Sequence, residues 1–473
     1  MCFTSPLFYV VLVPAVAVFY WFSGRWRAIY LLALSYAFYA LSSRVYLVLL
    51  IVASAAVYAL GLAIAKSSGE RAKQAYMAGG VAAVIAVIVA FKAAGAWRGF
   101  LLPLGVSFYS FKLISYLIEV YWDDEAVERD PIVFFLFPAF FPQIISGPIQ
   151  RPEPFSTQMR AIMARSLNAD QIETGFRFIL GGLMMKMLVG DRLGAFIETI
   201  DQSHTNYSYG VMLTTVACYT LQLYADFSGY TNIALGIGKL FGVEGPPNFN
   251  APFLAVNIQD MWRRWHMSLT LWLTDYLFTP LSMSLRAYGQ AGLIGAICLN
   301  MIIIGVWHGF TLNYLVFGIL HAVFLSVTVL ILGELARRKR AAGKAKAPPT
   351  PGWRPPGALL RVLGAALTFA LMSFSQIFFH SETFSQATSI LAQLAGAAPS
   401  GPTGWSDMPA YFSVPAWICM GVALYVGAGA PGARGLFGSL NRTAPNWLQY
   451  GVCLFLLSVL STEGSGQFIY GQF

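Results

Sequence analysis

Apolar runs of roughly bilayer length follow one another along most of the chain, separated by short polar connectors. Four of them, near 6–22, 27–42, 45–65 and 75–92, open the sequence. Three more, near 358–379, 412–429 and 446–462, close it. About 20 apolar residues in an α-helix cross a hydrocarbon core, so each run predicts a membrane helix. The middle is less regular. Residues 134–155, "FFLFPAFFPQIISGPIQRPEPF", are dense in Pro and Gly. Backbone broken in this way survives at membrane depth only when buried in protein or facing a water-filled cavity, so a re-entrant element is expected there. From 172 to 333 helical apolar runs return, now with polar residues inside them. The pattern predicts an all-α polytopic membrane protein of about ten to twelve transmembrane helices with re-entrant or interfacial elements.

The chain reads as one membrane domain over 1–473, with N-terminal helices in 1–100, a core in 101–333, a basic loop in 334–356 and C-terminal helices in 357–473. Of its residues 57% are hydrophobic and only 11% charged, far below the charged share of soluble domains, so no soluble domain is expected. The net charge of +9 is not a nucleic-acid signature. It gathers in connectors such as "SGRWR", "KSSGERAK" and "ARRKRAAGKAKAPPTPGWRPP", as the positive-inside bias produces in cytoplasmic loops. That bias puts the N-terminus outside and 334–356 in the cytoplasm. The first run lacks a basic segment before it and is expected to be a retained span. Cys2, Cys218, Cys298, Cys419 and Cys453 are scattered in mostly apolar sequence, so neither a disulfide framework nor a thiolate metal site is implied.

Candidate chemistry concentrates in a few ionisable residues. A titratable side chain inside a membrane segment is costly and marks function unless it bonds a neighbouring helix. Of the five histidines, His204 lies in a polar loop, His380 at a span end, and His321 further along the run that holds His308. His308 sits in "GVWHG", between Trp307 and Gly309. Small residues allow close backbone approach, and the indole gives a rigid wall with one N–H donor. A neutral imidazole in a dry cavity suits a general base. His266 lies in "NIQDMWRRWHMSLTLWLTDYLFTPL" (257–281), a segment expected at the membrane interface before the chain turns inward. Helical spacing would put Trp262 and His266 on one face and Arg263 and Arg264 on others. Asp226, Ser228, Tyr230 and Asn232 cluster in "LQLYADFSGYTNIALGIGKLFG" (221–242). The Asp226 carboxylate needs a partner there, an Arg of 263–264 or a backbone donor, and both a structural and a catalytic role stay open.

Walker-type loops, HExxH and GxSxG are absent from the sequence, and no metal site is expected. The remaining chemistry is direct transfer of an already activated acyl group to a hydroxyl, with no bound cofactor.

The ordered series "SPLFYVVLVPAVAVFYW", "LSYAFYA", "LPLGVSFYSFKLISYLIEVY", "FFPQIISGPIQRPEPF", "LQLYADFSGYTNIALGIGKLFG", "NFNAPFLAVNIQDMWRRWHMSLTLWLTDYLFTPL", "GVWHG" and "FIYGQF" resembles the membrane-bound O-acyltransferases, in particular the bacterial branch that acetylates alginate. The match runs nearly end to end. The resemblance implies helices around a central tunnel, His308 as the catalytic residue and His266 as a second position in the same tunnel. Trp307, Asp226, Ser228, Tyr230, Asn232, Trp262, Arg263 and Trp265 are the candidates for substrate contact or tunnel wall. It implies a cytoplasmic acyl thioester as donor, acetyl-CoA or an acyl carrier. It implies a polysaccharide acceptor or a periplasmic lipase-like (SGNH) acyltransferase partner, and a bacterial inner membrane location. The alternatives are D-alanyl transfer to teichoic acid and, in another class, a transporter. The latter would favour inverted repeats, which the sequence does not show. The sequence departs from the family pattern at Met185, where a Lys is usual, at His380–Ser381, where Arg-Ala is common, and in its "FIYGQF" ending.

Overall fold

The computed structural model describes residues 3–98, 103–145, 147–164, 168–344, 357–398, 401–404, 421 and 446–460. These are helical, with no strand beyond one isolated bridge between Tyr207 and Thr403. The order is α1 (Pro6–Trp21), α2 (Arg25–Ser42), α3 (Arg44–Lys66), α4 (Glu70–Arg98), α5 (Val106–Trp122), α6 (Pro131–Ala139), α7 (Phe141–Ile144), α8 (Pro152–Ala164) and α9 (Ala169–Met185). A π-helical turn, Lys186–Gly190, then leads into α10 (Asp191–Asp201) and the long α11 (Tyr209–Leu240). Short helices α12 (Ile258–Trp262), α13 (Met267–Leu273) and α14 (Thr279–Ser284) precede α15 (Gly289–His308) and α16 (Leu312–Lys344). The last are α17 (Gly357–His380), α18 (Phe384–Leu394) and α19 (Asn446–Leu460).

Arg44–Lys66, Glu70–Ala94, Arg286–His308, Leu312–Ala341 and Gly357–His380 are long and apolar enough to cross a membrane, and Pro6–Trp21, Pro131–Ile144 and Tyr450–Val459 are shorter apolar helices. Large apolar side chains such as Val10, Val45, Val52, Ile331 and Val362 are exposed on them. Lipid is the solvent in which that exposure is favourable. The run expected at 412–429 lies outside the described residues except for residue 421.

The chain forms two units. The first comprises Met1–Arg192, Leu223–Pro247 and Ser413–Phe473. Phe137, Phe140, Phe141, Phe155 and Phe241 are among the rings of its core. Its α9 and α11 approach backbone to backbone: a Cβ on Gly182 would stand 2.5 Å from the Gly229 carbonyl oxygen, and one on Gly236 2.6 Å from that of Gly175. The Pro-rich stretch does break, as expected. Asp130 caps α6 through the Ile132 amide at 2.9 Å, with Pro131 preset for the first turn. The helix stops at Phe140 and restarts as the four-residue α7. Lys112, almost wholly buried, holds this break. Its ammonium donates to the Phe137 carbonyl and to Gln143 Oε1, both at 3.1 Å. Gln143 donates to Gln150 at 2.8 Å, and Gln150 to the Glu244 carbonyl at 2.9 Å. Freed peptide groups are thus answered from within the protein, which backbone at this depth requires.

The second unit comprises Leu193–Gln222 and Asn248–Phe412. Its α15 and α16 form a close antiparallel hairpin: a Cβ on Gly305 would lie 2.3 Å from the Tyr314 carbonyl oxygen, and one on Gly318 2.8 Å from that of Met301. Two expectations need correcting. The basic segment from 334 is not a loop at its start, because α16 continues to Lys344. Ala, Arg and Lys are strong helix formers, and Glu334 pairs with Arg337 at 2.8 Å and Arg338 at 2.7 Å across one turn. The helical period assumed across 257–281 is interrupted: the segment is broken into α12, α13 and a π-helical turn, and Trp262, Trp265, His266 and Trp272 in it are buried.

Candidate active site

His308 is the last residue of α15, and the extended Gly309 turns the chain into α16. The imidazole is 6% exposed. Rings enclose it: Phe379 with centroids 4.8 Å away, Trp307 at 4.6 Å, Tyr314 stacked at 6.1 Å and Phe317 at 6.3 Å. A Cβ on Gly309 would stand 2.6 Å from the Tyr314 ring, so glycine is what lets that ring close over the turn. Asn313 Nδ2 donates to the Ser381 carbonyl at 2.6 Å, tying the start of α16 to the end of α17. Three helix ends therefore position one imidazole in an aromatic box. Of its walls, the sequence pointed to Trp307 but not to Tyr314, Phe317 or Phe379, which lie in ordinary apolar runs.

His266 lies in the turn between α12 and α13 with a left-handed backbone (φ 43°). Its placement corrects the expected shared face with Trp262, because α12 ends at Trp262 and the helical period stops there. Asn248 clasps this turn. Its Oδ1 accepts from the Ser268 amide at 3.2 Å, the Ser268 hydroxyl at 2.8 Å and His266 Nδ1 at 3.1 Å. Its main-chain oxygen accepts from the Met267 amide at 2.9 Å. A peptide N–H against Oδ1 fixes that atom as the oxygen, so His266 carries its proton on Nδ1 and presents Nε2 as the acceptor. Asn248 was not singled out in the sequence. The first Asn of "PPNFN" was the available signal.

The other candidates are placed individually. Trp262 Nε1–H donates to His321 Nδ1 at 3.3 Å, and His321 Nε2 lies 2.9 Å from Ser375 Oγ, whose own hydroxyl donates to the Met372 carbonyl at 2.7 Å. His321 is thus neutral and bonded on both nitrogens, a structural role. Its ring packs 4.6 Å from Phe317, which links it to the His308 box. Trp265 is wedged against Phe249 at 5.2 Å, while Arg263 is exposed. His204 bonds Ser389 at 3.1 Å and His380 pairs with Asp201.

In the first unit, Asp226 is paired with neither arginine. Its partner is Lys186 at 2.5 Å, in the π-helical turn, and Lys186 also holds Asp191 at 2.6 Å. All three side chains are buried or nearly so. Ser228 and Tyr230 are buried nearby in α11, with Tyr230 stacked on Phe3 at 5.2 Å, and Asn232 is half-buried.

The family described as membrane-bound O-acyltransferase matches residues 125–337, the span that holds the Asn248 clasp and His308 with Trp307, Tyr314 and Phe317 of its box. A probable alginate O-acetylase of Pseudomonas syringae pv. tomato is 31% identical over 81% of this chain and 73% of its own length. The chain belongs to the membrane-bound O-acyltransferase family. A probable alginate O-acetylase of Pseudomonas aeruginosa is 29% identical over 100% of this chain and 83% of its own length. The teichoic acid D-alanyltransferase of Bacillus subtilis is 31% identical over 59% of this chain and 69% of its own. The protein is accordingly a multi-pass membrane acyltransferase.

Proposed function

We propose that this acyltransferase takes an acyl group, acetyl in the simplest case, from a cytoplasmic thioester and passes it to hydroxyls of an exported polysaccharide, directly or through a periplasmic partner, with His308 as general base. The observation that carries the reading is the buried His308 imidazole at the junction of α15, α16 and α17, inside a family of acyltransferases. In the step proposed, His308 takes the proton of the attacking hydroxyl as its oxygen bonds to the thioester carbonyl carbon. The C–S bond breaks, and the thiolate leaves with the proton that His308 returns. The transient imidazolium sits at the carbonyl end of α15, where aligned peptide dipoles favour positive charge. His266, its Nδ1–H committed to Asn248, offers Nε2 as a second acceptor along the acyl path. Trp307, Trp262 and Trp265 give that path rigid apolar walls.

Polysaccharide is preferred to teichoic acid as acceptor because the alginate relative aligns over the whole chain and the D-alanyltransferase over 59% of it. The test is acyl transfer from a thioester by the purified protein. His308→Ala should lose about 10²–10⁴-fold in rate with an unchanged size-exclusion profile. Wild-type turnover in that variant removes His308 from the mechanism. His266→Ala should lose less, in a manner that depends on the acceptor, and a silent variant removes it from the acyl path.

A further inference from the structure

Beyond the His308 box, the second unit holds a cavity lined by Asp201, Thr215, Tyr219, Gln376 and His380 together with apolar side chains of α11, α17 and α18. It has room for about one hydroxyl- or water-sized group. Gln376 is 1% exposed, and among the described residues its Nε2 has the Met372 sulfur at 3.8 Å while its Oε1 has no hydrogen-bond partner. An amide oxygen left unpaired at that burial calls for a donor. One turn on, His380 Nε2 is hydrogen-bonded to the Asp201 carboxylate, and its ring lies with centroids 4.0 Å from Tyr219. The Asp201 and His380 side chains are about a quarter exposed, so this end of the cavity reaches the surface. Phe379, the residue just before His380, packs on His308.

We propose that this cavity is an acceptor subsite that takes one hydroxyl of a sugar residue and so anchors the carbohydrate chain beside the His308 box. The inference rests on the polysaccharide reading above. The neutral O–H is the group that fits: it donates to Gln376 Oε1 and accepts from a neighbour, whereas an anion would meet the Asp201 carboxylate. The Tyr219 and His380 rings offer apolar faces to sugar C–H groups. The positive charge of "ARRKR" in the last turns of α16 assigns that end of the α16–α17 pair to the cytoplasm, which leaves the His380 end on the side where an exported polymer would be met.

The test is calorimetric binding of an alginate tetrasaccharide to the detergent-purified full chain without thioester. Wild type should bind it, and Gln376→Leu, which keeps the shape and removes the acceptor, should bind about tenfold more weakly. Val216→Phe fills the cavity without altering its polar groups and should weaken binding likewise, which keeps the test decisive if Gln376→Leu does not fold. Equal binding by wild type and variants overturns the subsite, and so does a wild type that binds no tetrasaccharide. Binding that the variants weaken, in a protein that transfers no acyl group to carbohydrate, upholds the subsite and removes the proposed function. Transfer with unaltered binding does the reverse.

Discussion

Asn248→Ala is the sharpest probe of the second histidine. Asn248 is 1% exposed, and its Oδ1 alone serves three donors, His266 Nδ1, the Ser268 amide and the Ser268 hydroxyl. Truncation leaves them inside a buried turn. An orphaned buried donor costs about 1–3 kcal/mol, while a hydroxyl can rotate to another acceptor. With the hydroxyl re-paired, two donors stay orphaned and the expected loss is about 2–6 kcal/mol. The Met267 amide keeps its bond to the Asn248 main chain, so the turn should loosen rather than unravel. His266 also loses the acceptor that fixes its tautomer, and acyl transfer should fall with stability. Unfolding in mixed micelles measures the first effect and thioester turnover the second. Asn248→Asp retains an oxygen at the same place and should recover part of both. If Asn248→Ala equals wild type in both assays, the clasp neither holds the turn nor sets the imidazole.

Lys186→Met leaves two carboxylates, Asp191 and Asp226, without their shared ammonium and should destabilise the protein by about 3–5 kcal/mol in the same assay. Adding Asp226→Asn should recover part of that loss, and a double variant less stable than the single one refutes the pairing as its cause. His321→Phe keeps the ring packing but orphans the Trp262 N–H, so it should cost about 1–3 kcal/mol while acyl transfer persists. Abolished transfer in a folded His321→Phe protein would move His321 from scaffold to chemistry.

The long apolar runs were legible because bilayer length is written directly into them: α1, α2, α3 and α17 begin and end within two residues of the expected spans. The break near Phe140 was legible because Pro and Gly act locally. What escaped were features set by tertiary partners. The Lys186–Asp226 pair joins residues of different helices through a π-helical turn that no periodicity signals. Spacing placed Trp262 and His266 on one face because it assumes an unbroken helix, and a single left-handed residue cancels that assumption. For the candidate site, "GVWHG" pointed to His308 itself. Its box is built of Tyr314, Phe317 and Phe379, apolar residues that look in sequence like any other lipid-facing side chain. Asn248 is separated from the turn it clasps by a helix, so only the fold joins them.

The left-handed backbone at His266 changes how any replacement there should be interpreted. Most side chains with a Cβ pay roughly 1–2 kcal/mol to occupy that region, Gly is at ease in it, and Asn and His are tolerated better than the rest. His266→Ala therefore removes an imidazole and leaves an ill-suited residue in the loop, and β-branched replacements are worse. His266→Asn separates the two effects, since it preserves the conformer and deletes only the ring. The residue behaves as a hinge pin with a reactive head, and the substitution series at this one position ranks backbone geometry and proton chemistry independently.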